Sequence, residues 1–186
     1  MEPFIHPSAI VETRNIGSGT RIWAFAHILP KARIGADCNI CDHTFIENDV
    51  YVGDRVTVKC GVYLWDGITL EDDVFVGPSV VFTNDLRPRS KMHKSATRTI
   101  IRKFASLGAG TTILGGVTVG EYSMTGIASV VTRDVPSHAL VYGNPARFQR
   151  WIDKLGRDLI QEDANVWRSM NGERYVVAET GLELIR

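Results

Sequence analysis

The amino-acid sequence predicts a mainly β protein built as a parallel β-helix, and two observations carry this prediction. Between residues 16 and 82, every sixth residue is aliphatic except for an aromatic at the last step. The residue four positions after each is small or β-branched, from Thr20 to Val80. Helices have a period near 3.6 and strands a period of 2, so neither explains this series. The large positions are Ile16, Ile22, Ile28, Ile34, Ile40, Ile46, Val52, Val58, Leu64, Leu70, Val76 and Phe82.

The six-residue unit itself indicates the geometry of the coil. One large and one small inward residue suit a short flat strand followed by a corner, and three such units close a triangular coil of about eighteen residues. Gly or an acidic residue follows the large position at several steps, which suits tight turns with unusual backbone angles. These residues are Gly35, Glu47, Gly53, Glu71 and Gly77.

Residues 1–15 lead into this repeat. Ile5 and Val11 keep the step of six, but Ile16 follows Val11 after only five residues, so one corner is a residue shorter. We interpret the segment 6–9 as a cap over the open end of the core, because the end of a β-helix needs such a cover.

Composition and charge indicate one soluble domain. The 186 residues allow one sizeable core, and 21 basic residues balance 21 acidic ones, so no overall field favours nucleic acid or an anionic membrane. Cys38 and Cys41 form a lone CxxC, which without a second pair is better explained by ordinary β-helix positions than by a zinc or redox site. No signal-peptide pattern or membrane-length apolar run is found, so a cytoplasmic location is expected.

A polar column is predicted at one corner of the coil. Residues eighteen apart lie above one another on adjacent rungs, at roughly 4.8 Å. Asn48, Asp66 and Asn84 therefore form one vertical line, with Glu47 and Asp85 beside it. This stack indicates a binding site, although Asn ladders also occur as purely structural features of β-helix corners.

The repeat breaks after Phe82 and its large position returns at Leu107. We therefore predict an excursion loop over about residues 85–103. A long loop beside a polar stack is a common place for function, and its cations suit the phosphates of a nucleotide or of coenzyme A. The alternative is a solvated loop or a salt-bridged subunit contact. The seven cations are Arg87, Arg89, Lys91, Lys94, Arg98, Arg102 and Lys103.

The repeat continues from Leu107 to Val131 through a substituted Thr125. Small residues on these rungs predict a shallow groove for a pantetheine arm, although tight corners need the same residues. From Arg147 the spacing of Phe148, Trp151, Ile152, Leu155 and Leu159 predicts a short helix. Residues 173–186 predict a small hairpin around Thr180 and Gly181. We thus expect a β-helix domain over 1–146 and a helix and hairpin extension over 147–186.

Several segments resemble the left-handed hexapeptide-repeat acyltransferases, and in particular the N-acetyltransferases of nucleotide-linked 3-amino sugars. The resemblance runs from about residue 5 to residue 160, and Thr125 departs from the aliphatic residue that the family usually has. It implies a left-handed coil, acetyl-CoA as co-substrate, no metal, and a homotrimer with sites at subunit interfaces. The matching segments are 38–48, 59–62, 64–67, 77–85, 88–90 and the exit motif 141–147.

The resemblance implies acetylation of a dTDP-linked 3-amino-3,6-dideoxyhexose, for lipopolysaccharide O-antigen or S-layer glycans. The alternatives are UDP-2-acetamido-3-amino-2,3-dideoxyglucuronate as acceptor, or O-acetylation with His93 as base. Hydroxyl acceptors need a general base, whereas an amine that is partly neutral needs placement and a hydrogen-bond acceptor. The polar column offers Asn84 rather than a histidine, which favours an amine oriented by the Asn84 side-chain oxygen.

Further site residues are expected from the column, the loop and the resemblance. Binding of the sugar nucleotide is expected from Glu47, Asn48, Lys59, Asp66, Asp85, Arg87 and Arg89. Binding of the coenzyme is expected from Lys103, Ala105, Gly108, Gly126, Ala128, Arg133, Pro145 and Arg147. No nucleic-acid or membrane partner is expected.

Two other classes of protein use this architecture. A γ-type carbonic anhydrase needs three histidines that converge on zinc, and the five histidines here are far apart in sequence. A non-enzymatic scaffold would not need the polar column, the basic loop and the exit motif together, and coenzyme A binding would distinguish it from an enzyme.

Overall fold

A computed structural model describes residues 1–92 and 95–185. Its main body is a left-handed parallel β-helix of about eight coils, as predicted. Most strands have two residues, of which the first faces outward and the second faces the interior. Tyr51 and Val52 are typical, since the tyrosine is exposed and the valine is fully buried.

Three sheets form the faces of the coil. Sheet A contains β1 Phe4–Ile5, β3 Arg21–Ile22, β6 Asn39–Ile40, β9 Thr57–Val58, β12 Phe75–Val76, β15 Ser106–Leu107, β18 Met124–Thr125, β20 Ala139–Gly143 and β21 Ala146–Trp151. Sheet B contains β2 Ile10–Val11, β4 His27–Ile28, β7 Phe45–Ile46, β10 Tyr63–Leu64, β13 Val81–Phe82, β16 Thr112–Ile113 and β19 Val130–Val131. Sheet C contains β5 Arg33–Ile34, β8 Tyr51–Val52, β11 Ile68–Leu70, β14 Thr99–Ile101 and β17 Thr118–Val119.

The two inward positions of the repeat form one continuous core. From Ile22 to Phe82 every large position is buried, and so is every small position from Thr20 to Val80. Thr125 also points inward, where its hydroxyl lies 3.0 Å from the Thr111 hydroxyl and accepts the Gly108 amide. The substituted position is therefore compatible with the core, because its polar group is satisfied inside the coil.

The predicted excursion loop exists but ends earlier than residue 103. Ile68 pairs with Thr99, 31 residues later, whereas the neighbouring rungs pair at the expected step of 18. Residues Thr99–Ile101 form β14, and Ile101 is fully buried in the core. The rung thus holds 13 additional residues, and Arg102 and Lys103 lie on the coil rather than on the loop.

The C-terminal region contains no helix among the described residues, which corrects the prediction for residues 147–159. Instead the chain turns at Asn144-Pro145 and β21 pairs antiparallel with β20. The edge of sheet A along β20 offers backbone partners to β21, and this pairing outweighs a helical pattern of only five apolar residues.

The remaining chain forms a fourth sheet, sheet D. The predicted hairpin is confirmed as its last two strands, and the other two strands were not predicted. Tyr175, Leu159 and Leu182 form a small core of their own. The strands are β22 Ile160–Asp163, β23 Val166–Arg168, β24 Arg174–Ala178 and β25 Gly181–Leu184.

Sheet D lies against the last coils. The Ser137 amide donates to the Thr180 carbonyl at 2.9 Å, and a ladder of rings runs from the coil into the sheet. Tyr122 stacks on Phe104 and on His138, and His138 contacts Tyr175 edge-on. Burial lowers the pKa of His138, whose Nδ1–H donates to the Ile152 carbonyl at 3.0 Å. Within the described ranges, no helix has the length and apolarity needed to cross a bilayer.

Candidate active site

The polar column lies at the corner between sheets B and C, called the B/C corner below. The Lys31 amide donates to Asn48 Oδ1 at 3.1 Å, and the Asp49 amide donates to Asp66 Oδ1 at 2.6 Å. Asn84 Nδ2 donates to the Asp66 carbonyl at 3.2 Å. Each side chain thus bonds the backbone of the rung below. The column is in part the structural ladder that was the alternative interpretation.

Asn84 differs from the other two members of the column. Its hydrogen bond to the rung below uses the amide nitrogen, whereas Asn48 and Asp66 use an oxygen. Among the described residues, no partner of Asn84 Oδ1 is found. The half-buried Asn84 can therefore accept a hydrogen bond from a ligand while its side chain is held in place.

Carboxylates surround this position. Glu47 Oε2 accepts the Asp66 amide at 2.6 Å, and Asp85 Oδ1 accepts the Arg87 amide at 2.7 Å. In both cases one carboxylate oxygen orients the backbone while the other has acceptor capacity left. The predicted grouping of Glu47, Asp66, Asn84 and Asp85 is therefore confirmed as an arrangement in space.

The excursion loop returns to the coil directly against Asn84. The amide and the hydroxyl of Thr97 both donate to the Asn84 carbonyl, at 2.9 and 3.1 Å. Two glycines leave room for this returning arm. A Cβ at Gly67 would lie 2.5 Å from the Thr97 carbonyl, and one at Gly115 would collide with the Thr97 hydroxyl. The root of the loop is thus fixed by close backbone packing.

The cations of the region fall into two groups. Arg98, Arg102 and Lys103 pair with Asp49, Glu71 and Asp72 on the coil of the same chain. Arg87 and Arg89 lie exposed on the loop near its root. Lys91 is exposed further along the loop. His93 and Lys94 lie outside the described residues, so the interpretation of His93 as a base stays a prediction.

Two of the expected coenzyme residues lie away from the polar column. Lys103 lies at the corner between sheets C and A, where it pairs with Asp72. The pKa of Asp72 is lowered, first by the hydrogen bond from the Asp54 amide and then by the Lys103 charge. Ala105 is fully buried in the core, because it occupies a small inward position of the repeat.

Three further coenzyme candidates lie together at the corner between sheets A and B, called the A/B corner below. Gly108, Gly126 and Ala128 follow one another on two adjacent rungs there. A Cβ at Gly108 would lie 2.6 Å from the Thr125 carbonyl, and one at Gly126 would lie 2.7 Å from Tyr142 Cβ. Close stacking of rungs therefore requires both glycines, and it also makes this corner a shallow groove of small residues.

The remaining candidates divide between two places. Arg133 and Arg147 line one cavity of about 170 Å³ at the C-terminal end of the coil, and Pro145 lies in the adjacent turn between β20 and β21. Lys59 lies at the A/B corner, on the opposite edge of sheet B from Asn84. The structure does not bring Lys59 to the polar column.

An aromatic wall beside the polar column was not predicted. We use this name for Phe45, Tyr63 and Trp65, which lie on the outer face of sheet B and at its B/C corner. Their ring centroids are 5.7 to 6.3 Å apart. The sequence signal for part of the wall is the spacing of eighteen between the outward residues Phe45 and Tyr63.

The cysteines have ordinary structural positions. Burial raises the pKa of the Cys38 thiol, which donates to the Gly53 carbonyl inside the coil, and burial also raises the pKa of Cys41. A raised pKa makes a thiol less reactive. In the part of the chain that the structure describes, no group of three His, Cys, Asp or Glu side chains could hold a metal ion.

Comparison with known proteins defines the class first. A model of the bacterial transferase hexapeptide family (six repeats) matches residues 15–48. The coil is similar to the solved structure of the hexapeptide-repeat containing acetyltransferase VCA0836 from Vibrio cholerae, with 28% identity, a TM-score of 0.52 and coverage of 72% of this chain and 74% of that one. It is also similar to the BC4754 gene product of Bacillus cereus, with 27% identity, a TM-score of 0.56 and coverage of 81% and 78%.

A relative of known activity is much more similar. The dTDP-3-amino-3,6-dideoxy-alpha-D-galactopyranose 3-N-acetyltransferase of Aneurinibacillus thermoaerophilus is 61% identical over 150 residues, which are 80% of this chain and 78% of the relative. The chain therefore belongs to the hexapeptide-repeat acyltransferase family of that enzyme.

Proposed function

We propose that this protein transfers the acetyl group of acetyl-CoA to the 3-amino group of a dTDP-linked 3-amino-3,6-dideoxyhexose. The observation that carries this proposal is the 61% identity, over four fifths of the chain, to an enzyme named for that reaction. The site is compatible with an amine acceptor, because Asn84 Oδ1 can accept a hydrogen bond from an N–H group.

The chemistry needs placement more than a strong base. The neutral amine attacks the thioester carbonyl, a C–N bond forms, and the C–S bond breaks. The coenzyme leaves as a thiolate, which takes up the proton that the nitrogen loses. Asn84 would orient the amine for this attack, and the nearby carboxylates of Glu47, Asp66 and Asp85 would hold sugar hydroxyls and favour the approach of the amine.

The two substrates would occupy different parts of the surface. The sugar nucleotide would bind at the B/C corner, with Arg87 and Arg89 near its phosphates. The coenzyme would lie along the groove at Gly108, Gly126 and Ala128. Its adenine end would approach Arg133, Pro145 and Arg147 at the end of the coil.

We also propose a cytoplasmic homotrimer with its sites at subunit interfaces. Flat β-helix faces bury little apolar surface alone, and Phe4 and Phe75 lie exposed on sheet A. Light scattering measures this directly, and a monomeric mass would contradict the proposed trimer.

The test of the reaction is release of free thiol from acetyl-CoA with a panel of acceptors. The panel contains dTDP-3-amino-3,6-dideoxyhexoses of both C4 configurations, the UDP-linked 3-amino uronic acid, and a sugar nucleotide with hydroxyls only. We expect turnover on a dTDP-linked amine. Turnover on the uronic acid alone would identify the UDP-linked 3-amino uronic acid as the acceptor. Turnover on the hydroxyl-only sugar would favour O-acetylation.

A further inference from the structure

The aromatic wall on sheet B has no role in the proposed function as stated above. We propose that Phe45, Tyr63 and Trp65 bind the nucleobase of the sugar nucleotide by stacking. This inference rests on the proposed function for the identity of the ligand, and it adds the part of the surface that recognises the base.

The inclinations of the three rings leave ring faces open to a planar ligand. Phe45 and Tyr63 are inclined at 88°, Tyr63 and Trp65 at 74°, and Phe45 and Trp65 at 59°. No pair among the three is stacked face to face. Edge-to-face contacts fix the rings against one another, while ring faces stay available to a planar ligand.

The aromatic wall is both rigid and accessible. Trp65 Nε1 donates to the Phe82 carbonyl at 2.9 Å, which fixes the indole against the next rung. Tyr63 is 49% exposed although it is held between two aromatic neighbours. The wall borders a surface cavity of about 270 Å³, which Phe25, His27 and His43 also line. A fixed, exposed aromatic surface loses little conformational entropy when it binds a base.

The aromatic wall lies close to the polar column. Tyr63 and Phe45 lie one and two rungs below the rung of Asn84, roughly 5 and 10 Å along the coil axis. Trp65 is followed directly by Asp66 of the polar column. An aromatic surface, a carboxylate-rich corner and loop arginines thus follow one another. A nucleotide-linked amino sugar has a π-system, an amine and a diphosphate, which match these three chemistries.

The alternative occupant of this face is a second copy of the chain. An interface core is depleted in charged residues. The wall is instead bordered by Glu47, Asp66 and Asp85 on one side, and at its lower end His27 pairs with Glu12 at 3.0 Å. This polar border is unlike the core of a subunit interface and is compatible with a small polar ligand that has one aromatic part.

The test measures binding of dTDP, UDP and inorganic pyrophosphate by titration calorimetry to the full chain. We expect Tyr63→Ala to weaken dTDP binding about tenfold or more, because loss of one stacking ring has an effect of this size. Pyrophosphate and acetyl-CoA binding should not change. Tyr63→Leu keeps apolar volume without a π-system and should weaken dTDP binding in the same way.

The matched control is Tyr51→Ala. Tyr51 has the same outward position on sheet C and nearly the same exposure, 47%, so its loss should leave dTDP binding unchanged. Equal dTDP affinity of wild type and Tyr63→Ala would overturn the inference. Dissociation of the oligomer on Tyr63→Ala, measured by light scattering, with dTDP and pyrophosphate binding weakened equally, would overturn it in favour of a structural contact between subunits.

Failure of the inference and failure of the proposed function give different results. Acetyl transfer to a dTDP-amino sugar with unchanged dTDP binding in Tyr63→Ala keeps the function and removes the wall from the site. Ring-dependent dTDP binding without any acetyl transfer keeps the inference and removes the proposed reaction.

Discussion

The N-terminal and C-terminal halves of sheet B have the same interior and different outer faces. Inside the coil, Ile46 and Ile113 occupy equivalent positions and both are fully buried. Outside it, the N-terminal rungs present His27, Phe45 and Tyr63, whereas the C-terminal rungs present the smaller residues Val81, Thr112 and Val130. Asn84 lies on the rung where the change occurs.

This difference shows that the repeat determines the coil, and that the outward residues determine what the coil can bind. Packing requires the inward residues to be apolar and of similar size on every rung. The outward residues are not under this constraint, so one half can supply an aromatic surface and the other a shallow groove. We expect the two substrates to meet at the boundary, beside Asn84.

Asn84→Ala has the largest expected effect, because it removes the group placed between the two halves. Turnover should fall about 100-fold, as expected when a reacting group loses its orientation. Unfolding free energy should fall by only about 1 kcal/mol, the worth of the one hydrogen bond to Asp66. Steady-state kinetics and thermal unfolding measure the two effects.

The control for Asn84→Ala is Asp54→Ala. Asp54 Oδ1 accepts the Ala36 amide at 2.8 Å, which is also a bond from a side chain to the backbone of the rung below, at another corner of the coil. This variant should lose similar stability and keep its turnover. Proportional loss of turnover and stability in both variants would make Asn84 a purely structural residue.

Thr112→Phe makes the C-terminal half resemble the N-terminal half and has the next largest expected effect. Because the side chain of residue 112 faces outward, the coil should accommodate a phenylalanine ring there. This ring would narrow the proposed coenzyme groove at the neighbouring A/B corner. We expect the KM for acetyl-CoA to rise about tenfold, within the range of a steric effect on binding, while the KM for the sugar nucleotide is unchanged. Thr69→Phe on sheet C is the control. An unchanged KM for acetyl-CoA would place the coenzyme elsewhere.

Replacing Arg87 and Arg89 by Gln tests the N-terminal half and should have a smaller effect. Both arginines are exposed, so their charge acts through screened interactions, and we expect the KM for the sugar nucleotide to rise about fivefold. The effect should shrink at high salt. Arg33→Gln, outward on sheet C, is the control. Kinetics indistinguishable from wild type would exclude a phosphate contact.

The pH dependence of stability should be the smallest effect, and it should arise outside both halves of sheet B. The buried His138 has a lowered pKa in the fold, so below about pH 6.5 the unfolded chain binds more protons than the folded one. The contribution of His138 is therefore present at neutral pH and is lost as the pH falls.

Melting temperatures between about pH 7 and pH 5 measure this contribution. The decline toward acid pH should be less steep in His138→Gln than in wild type, with His43→Gln, at the A/B corner, as the control. The same slope in His138→Gln and wild type would show that other groups determine the acid sensitivity.

The coil interior could be predicted from the sequence because its rule repeats every six residues. The end of the excursion loop could not be predicted, because the single strand Thr99–Ile101 is the only repeat unit between the loop and Leu107. The helix predicted after Arg147 failed because an open sheet edge determined the conformation of that segment. The polar column follows from its spacing of eighteen, whereas the aromatic wall lies mainly on outward positions, which the six-residue rule of the core does not constrain.

The corner where the excursion loop leaves the coil holds the insertion without disturbing the neighbouring rungs. The loop leaves and returns beside Asn84, and Gly67 and Gly115 leave room for its returning arm, while the rungs on both sides keep their pairing across the 13 added residues. The coil therefore holds an insertion at this corner without any change in the stacking of its rungs. A longer or shorter loop that leaves and returns at the same two points would keep the same scaffold on both sides.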